Sequence, residues 1–145
     1  MSMADPAEVL RGARVVAVVG ASRSPEKDAY RVPEYLKSKG YRVIPINPRA
    51  SEILGEKAYP SLDSLPDDIA RQVDVVDVFR PPEEAEKVVE QAIRLKERTG
   101  RDIVVWFQFG TSSEEAVEKA LRAGLKVVRE RCMMQELKRL LGEEG

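Results

Sequence analysis

The chain has 145 residues, with 24 Lys and Arg against 25 Asp and Glu, one cysteine and no histidine. That length suits one domain with a core of its own, and a formal charge of −1 argues against the basic surface that nucleic acid demands. The missing histidine removes a Ser-His-Asp triad, imidazole metal ligation and a phosphohistidine from this chain's chemistry.

A single cysteine makes neither an internal disulfide nor a multi-cysteine zinc site, so a reducing cytoplasm is the expected location and no metal is expected. No apolar run approaches the roughly 20 residues of a membrane helix. Residues 1–13 lack the continuous apolar stretch of a secretory signal. Neither membrane nor nucleic acid is an expected partner. Fifteen Arg against nine Lys, one Asn and four Gln fit a hot habitat, where ion pairs strengthen and labile amides are disfavoured, so a thermophilic origin is expected.

In chain order, Asp5-Pro6 followed by Glu8 predicts a short helix to about Arg11, from an N-cap, a first-turn proline and a capping-box acid. Arg14 to Val19 is a continuous β-branched run closed by Gly20, the pattern of a parallel strand buried on both faces. After a polar loop, Tyr30 to Ser38 reads as a helix stopped by Gly40, with Pro33 tolerable only in its first turn. Tyr41 to Ile46 is a second strand, ended by Asn47-Pro48. Ile53 to Tyr59 reads as a turn with a short edge strand, and Ser61 to Leu65 as a helical turn.

Val73 to Phe79 is a further strand. Pro82 to Arg98 is the clearest helix, because Ala85, Val88, Val89, Ala92 and Ile93 fall on one face and Gly100 lies past its end. Ile103 to Phe107 is a strand, and Ser112 with Glu115 predicts a capping box for a helix reaching Ala123. Leu125 to Arg129 is a last strand. Met133 to Leu141 is a closing amphipathic helix whose apolar face packs internally or forms a dimer seam. Strands alternating with helices predict an α/β fold, a Rossmann-like doubly wound three-layer sandwich with a mainly parallel sheet, as a single domain over residues 1–145.

In such sheets ligands bind outside the carboxyl ends of the strands. Gly20-Ala21-Ser22-Arg23 follows the first strand, where a glycine turn lets backbone N–H groups approach an anion near a helix N-terminus. Arg23, Lys27 and Arg31 add cations to that rim. The full G-x-G-x-x-G fingerprint is absent, since Ser22 stands at the second glycine position. After the second strand, Asn47-Pro48-Arg49 contains no acid to accept from the ribose hydroxyls of NAD. Arg49 instead suits a ribose phosphate, which both CoA and NADP carry.

Phe79-Arg80-Pro81 offers a ring to pack against an adenine, a guanidinium fork for a phosphate and a stiff platform. Gln108 and the Gly110 backbone suit an amide-rich group, whereas Trp106 reads as core. Cys132 lies beside Arg131 at a helix start, a setting that can lower a thiol pKa. With no histidine to activate it, it reads as a small buried hydrophobe.

Gly20-Ala-Ser22, Tyr30-Arg31-Val32, the strand into Asn47-Pro48, Val75 to Arg80, Trp106 to Gly110 and Arg131-Cys132 together resemble the small stand-alone CoA-binding proteins. That family is similar to the CoA-binding domain of the succinyl-CoA synthetase alpha subunit, and the resemblance covers roughly residues 8–140. It implies CoA or acyl-CoA as ligand, with the Gly20–Arg23 loop on its phosphates and Asn47, Pro48 and Arg49 beside the 3′-phosphate ADP portion. It also implies Phe79, Arg80 and Pro81 along the adenine and ribose, and Gln108 and Gly110 along the pantetheine path.

The synthetase's phosphohistidine chemistry needs a second domain and a histidine that this chain lacks. The expectation is therefore a nucleotide-ligand binding protein with no catalytic residue, a monomer or homodimer. An NADP-dependent oxidoreductase and a nucleotide-sensing regulatory subunit of a larger assembly are the alternatives.

Overall fold

Five parallel strands make the central sheet: β1 (Val15–Val19), β2 (Arg42–Ile46), β5 (Val75–Val78), β6 (Val104–Phe107) and β7 (Lys126–Val128), in the spatial order β2-β1-β5-β6-β7. The structure is a computed structural model and describes residues 3–143. All five residues of β1 are buried, as are all four of β5. Their β-branched side chains fill both faces of the sheet, which is why these segments read as unbroken apolar runs rather than alternating ones.

Successive residues point to opposite faces and so sort into two cores. Val15, Ala17, Val19, Val76 and Val78 join the helices α4 (Ala85–Thr99) and α5 (Glu114–Arg122) on one side. Val16, Val18 and Val75 join α1 (Pro6–Gly12), α2 (Asp28–Ser38) and α6 (Met133–Leu141) on the other. The result is the expected doubly wound sandwich. Winding reverses where β1 is flanked by β2 on one side and β5 on the other, each pairing in parallel register with it.

On α4 the buried face is Ala85, Val88, Val89, Ala92 and Leu95, with Ile93 packed only partly against the core. On α6 the buried pair is Met133 and Leu137, so that helix uses its apolar face internally, while Leu141 at its end is exposed.

Several local expectations are corrected. Helix α2 begins at Asp28, so Pro33 lies inside it rather than in its first turn. A proline has no N–H for the carbonyl four residues earlier, and that carbonyl, of Ala29, accepts instead from the Ser22 N–H at 3.1 Å. Pro33 thus supplies the docking point for the loop after β1. Helix α5 is capped by Ser113, whose hydroxyl accepts from the Ala116 N–H at 3.1 Å. Ser112 instead donates to the Glu130 carboxylate at 2.9 Å.

The segment between β2 and β5 is only partly strand. β3 (Glu52–Ile53) and β4 (Glu56–Lys57) form a small antiparallel pair apart from the main sheet. Beyond them Tyr59 makes a single parallel bridge to Ile46. Its N–H donates to the Pro45 carbonyl at 3.0 Å and its carbonyl accepts from Asn47 at 2.9 Å. Pro45 is tolerated in β2 because that strand is bordered by this one bridge rather than a full ladder. A 3₁₀ turn at Leu62–Ser64, capped by Ser61, and a short helix α3 (Asp67–Ala70) then lead to β5.

Candidate functional site

The reversal of chain order between β1 and β5 leaves a crevice above the carboxyl ends of these strands, the position where open α/β sheets bind ligands. A cleft of about 530 Å³ occupies it. Val19 and Gly20 form its floor, Asn47, Pro48 and Arg49 one wall, Pro60 and Ser61 a second, and Arg80 with one face of α4 a third. Among the described residues that line it, Arg49, Arg80 and Lys87 are cationic and Glu84 alone is anionic.

Gly20 has φ of +90°, a conformation that side chains with a Cβ rarely adopt. Its N–H donates to the Ile46 carbonyl at 3.0 Å, and the adjoining Phe79 N–H donates to Val19 at 2.8 Å. A Cβ there would lie 2.9 Å from Arg80 Cδ, so the arginine stem crosses the glycine and brings its head over the strand ends.

Asn47 holds two segments at once. Its Nδ2 donates to the Ala21 carbonyl at 2.8 Å, and its Oδ1 accepts from the Arg49 N–H at 2.7 Å. The side chain therefore fixes the loop after β1 and the turn after β2 in one mutual geometry. The Arg49 head, like that of Lys87, is exposed and makes no ion pair with a described residue.

Arg80 is differently placed. Its Nε and Nη2 donate to the two carboxylate oxygens of Glu84, at 3.1 and 2.7 Å. These hydrogen bonds hold the Glu84 carboxyl below the usual carboxylate range and raise the guanidinium further. Gln91, one turn beyond Lys87, uses its Oε1 to accept from the Leu62 N–H at 3.3 Å, binding the 3₁₀ turn to α4.

The other sequence-predicted residues lie outside the cleft lining. In the loop, the Ser22 N–H is committed to Ala29, and the Ser22 hydroxyl accepts from the Ser24 N–H at 3.0 Å. Ala21 is buried, Arg23 and Lys27 are exposed, and Arg31 pairs with Asp28 at 2.7 Å on the surface of α2. Phe79 packs partly into the α2-side core, and Pro81 is exposed ahead of α4. Gln108 is buried with its Oε1 accepting from the Met133 N–H at 3.0 Å. The Gly110 N–H donates to the Glu130 carboxylate at 3.2 Å.

The cleft also contains residues that the sequence reading missed: Ser61, Glu84, Lys87, Val88 and Gln91. A signal existed. Glu84, Lys87, Val88 and Gln91 repeat at helical spacing on the face of α4 that starts beside Arg80.

A second depression, of about 570 Å³, lies at the opposite edge of the sheet and is lined by Asp5, Glu8, Asp74 and Asp102 against one cation, Lys126. Its charge suits a polyanion badly, and the cleft at the strand ends is the better site on electrostatic grounds. Among the described residues no cluster of three or more His, Cys, Asp or Glu side chains could hold a metal ion, and no helix is long and apolar enough to cross a membrane.

One buried group belongs to neither depression. Asp77, in β5, is fully buried, and neither carboxylate oxygen has a hydrogen-bond partner. Burial pushes its carboxyl well above the usual range, against the lowering influence of the nearby Val78 N–H.

A crevice at the switch point of a parallel sheet, rimmed by cations and floored by a positive-φ glycine, is the feature that a doubly wound α/β sandwich presents here. Residues 14–138 match the family described as CoA binding domain, and the chain belongs to that family. It is 33% identical over 132 residues to YneT of Bacillus subtilis, covering 91% of each chain. It is 32% identical over 130 residues to the alpha subunit of the ADP-forming acetate–CoA ligase II of Pyrococcus furiosus. That match takes in 83% of this chain but only 27% of the ligase subunit. Among solved structures, a hypothetical protein from Pyrococcus horikoshii OT3 superposes with a TM-score of 0.83 at 47% identity, covering 94% of this chain and 90% of that one.

Proposed function

We propose that this protein binds CoA or an acyl-CoA in the cleft between β1 and β5, as a single CoA-binding domain and without catalytic chemistry of its own. CoA carries about four negative charges near neutrality, on a diphosphate and a 3′-phosphomonoester. The observation that carries the reading is the convergence of Arg49, Arg80 and Lys87 on one cleft, in a chain of the CoA-binding domain family.

In this reading Arg80 takes the diphosphate, close to the Gly20 floor, because a guanidinium fork matches two phosphate oxygens. Arg49 and Lys87 take the 3′-phosphate from opposite walls. Pro48, Pro60 and Val88 offer an apolar lining for the adenine, and Ser61 and Gln91 supply polar contacts to its edge. Gln108 and Gly110 would meet the pantetheine arm only at the far end of its path. The histidine-free composition supports binding rather than phosphoryl relay, and the single cysteine supports a cytoplasmic setting.

A second reading rests on the Pyrococcus ligase subunit, in which a similar segment forms about a quarter of a larger chain. Here the domain would serve as the CoA-holding part of an assembly whose other members perform chemistry.

Calorimetric titration with CoA tests the first reading, alongside native mass spectrometry of the purified protein. The expected result is one site per chain and a retained ligand of CoA or acyl-CoA mass. NADPH that binds more tightly than CoA would overturn it.

A further inference from the structure

We infer that Glu84 is an internal competitor for the anion site, occupying the recognition edge of Arg80 until a phosphorylated ligand displaces it, and so filters ligands by charge. The inference rests on the reading of the cleft as a phosphate-ligand site and names a residue that sets its selectivity.

An arginine recognises planar oxyanions best along the edge formed by Nε and one Nη, which donates two parallel hydrogen bonds. In Arg80 that edge is taken: Nε and Nη2 both point at Glu84, at 3.1 and 2.7 Å. The Arg80 stem passes over Gly20, its Cδ 2.9 Å from where a Cβ would stand, so the head that meets Glu84 lies at the floor of the cleft. An entering phosphate must either accept from the end-on pair, Nη1 and the second Nη2 hydrogen, while the carboxylate stays, or replace the carboxylate on the side-on edge.

The pair is weakly held. Both side chains are 43% exposed, and exposed pairs of this kind contribute only about 0–1 kcal/mol. A carboxylate for carboxylate exchange gains nothing. A diphosphate brings more charge and further donors in Arg49 and Lys87, so the exchange runs in its favour. Glu84 also stands at the N-cap position of α4, where its side chain makes no capping hydrogen bond. Once released from Arg80, the carboxylate remains beside the positive end of a 15-residue helix, which favours an anion there. The arrangement therefore selects against small monoanions and for ligands carrying two or more clustered phosphate charges.

The test compares wild type, Glu84→Gln and Glu83→Gln by calorimetric titration with CoA, ADP and phosphate-free pantetheine. Glu83→Gln makes the same change of charge one residue away, on an exposed side chain. The expected result is an affinity gain of about 3–5-fold for CoA and ADP in Glu84→Gln, a gain below about twofold in Glu83→Gln, and no change for pantetheine. Equal gains in both variants mean that general charge alone acts, and overturn the proposal. So does an unchanged or weakened affinity in Glu84→Gln, which would make Glu84 a support that holds Arg80 in its binding pose. CoA binding to wild type without the selective gain overturns this inference alone, whereas no CoA binding to any of the three proteins overturns the CoA reading with it.

Discussion

Gly20 and Phe79 are in such close approach that a Cβ on Gly20 would lie 2.5 Å from the Phe79 carbonyl oxygen. This contact joins the ends of β1 and β5 where the chain order reverses, and it sets the floor of the cleft. Gly20→Ala combines an unfavourable positive φ with a backbone overlap that no rotamer relieves. It is expected to destabilise the protein by about 2–4 kcal/mol in urea unfolding. Gly12→Ala is the control, since a Cβ there meets nothing within 4 Å, and its effect is expected to stay within about 1 kcal/mol.

Asp77 makes stability depend on pH in a definite direction. Burial raises its carboxyl pKa in the folded state, so the native protein holds this proton where the unfolded chain releases it. Its contribution is complete below the unfolded value of about 3.9 and declines as pH rises through the folded value. Asp77→Asn cannot ionise. The stability difference between wild type and this variant is expected to shift against wild type by at most about 1.4 kcal/mol per pH unit above pH 4, then to level off. Urea unfolding at a series of pH values measures it, and a flat difference would mean that Asp77 is charged or paired.

Pro33 and the loop after β1 are coupled through one carbonyl. Pro33→Ala restores a helical N–H that competes with Ser22 for the Ala29 oxygen. Faster amide hydrogen exchange at Ser22 is the expected outcome, with a change in global stability within about 1 kcal/mol. Unchanged exchange at Ser22 would show that the loop is held by Asn47 and its own turns alone.

The sheet was legible in the sequence because its strands are β-branched runs buried on both faces, and Val15–Val19 needs no partner to be read that way. The switch-point location of the site follows from the same pattern. What depends on tertiary neighbours was not legible. Whether Ser112 or Ser113 caps α5 is decided by Glu130, which claims the Ser112 hydroxyl from another loop. Pro33 sits mid-helix because Ser22, eleven positions earlier, supplies the hydrogen bond that the helix lacks. The third strand expected near Tyr59 shrinks to one bridge. The bond from the first N–H of α6 to the Gln108 amide oxygen likewise depends on a neighbour distant in sequence. Arg80 reads from the sequence as an anion-binding candidate, but its engagement by Glu84 depends on the geometry of the turn into α4.

Arg49 supplies the most direct test. Its head is exposed on the cleft wall, and only CoA, not dephospho-CoA, brings a 3′-phosphate to it. Calorimetry of wild type and Arg49→Ala with both ligands is expected to show about a tenfold loss for CoA and less than about a twofold loss for dephospho-CoA. Equal losses for the two ligands, or none for either, would contradict the placement of CoA in this cleft.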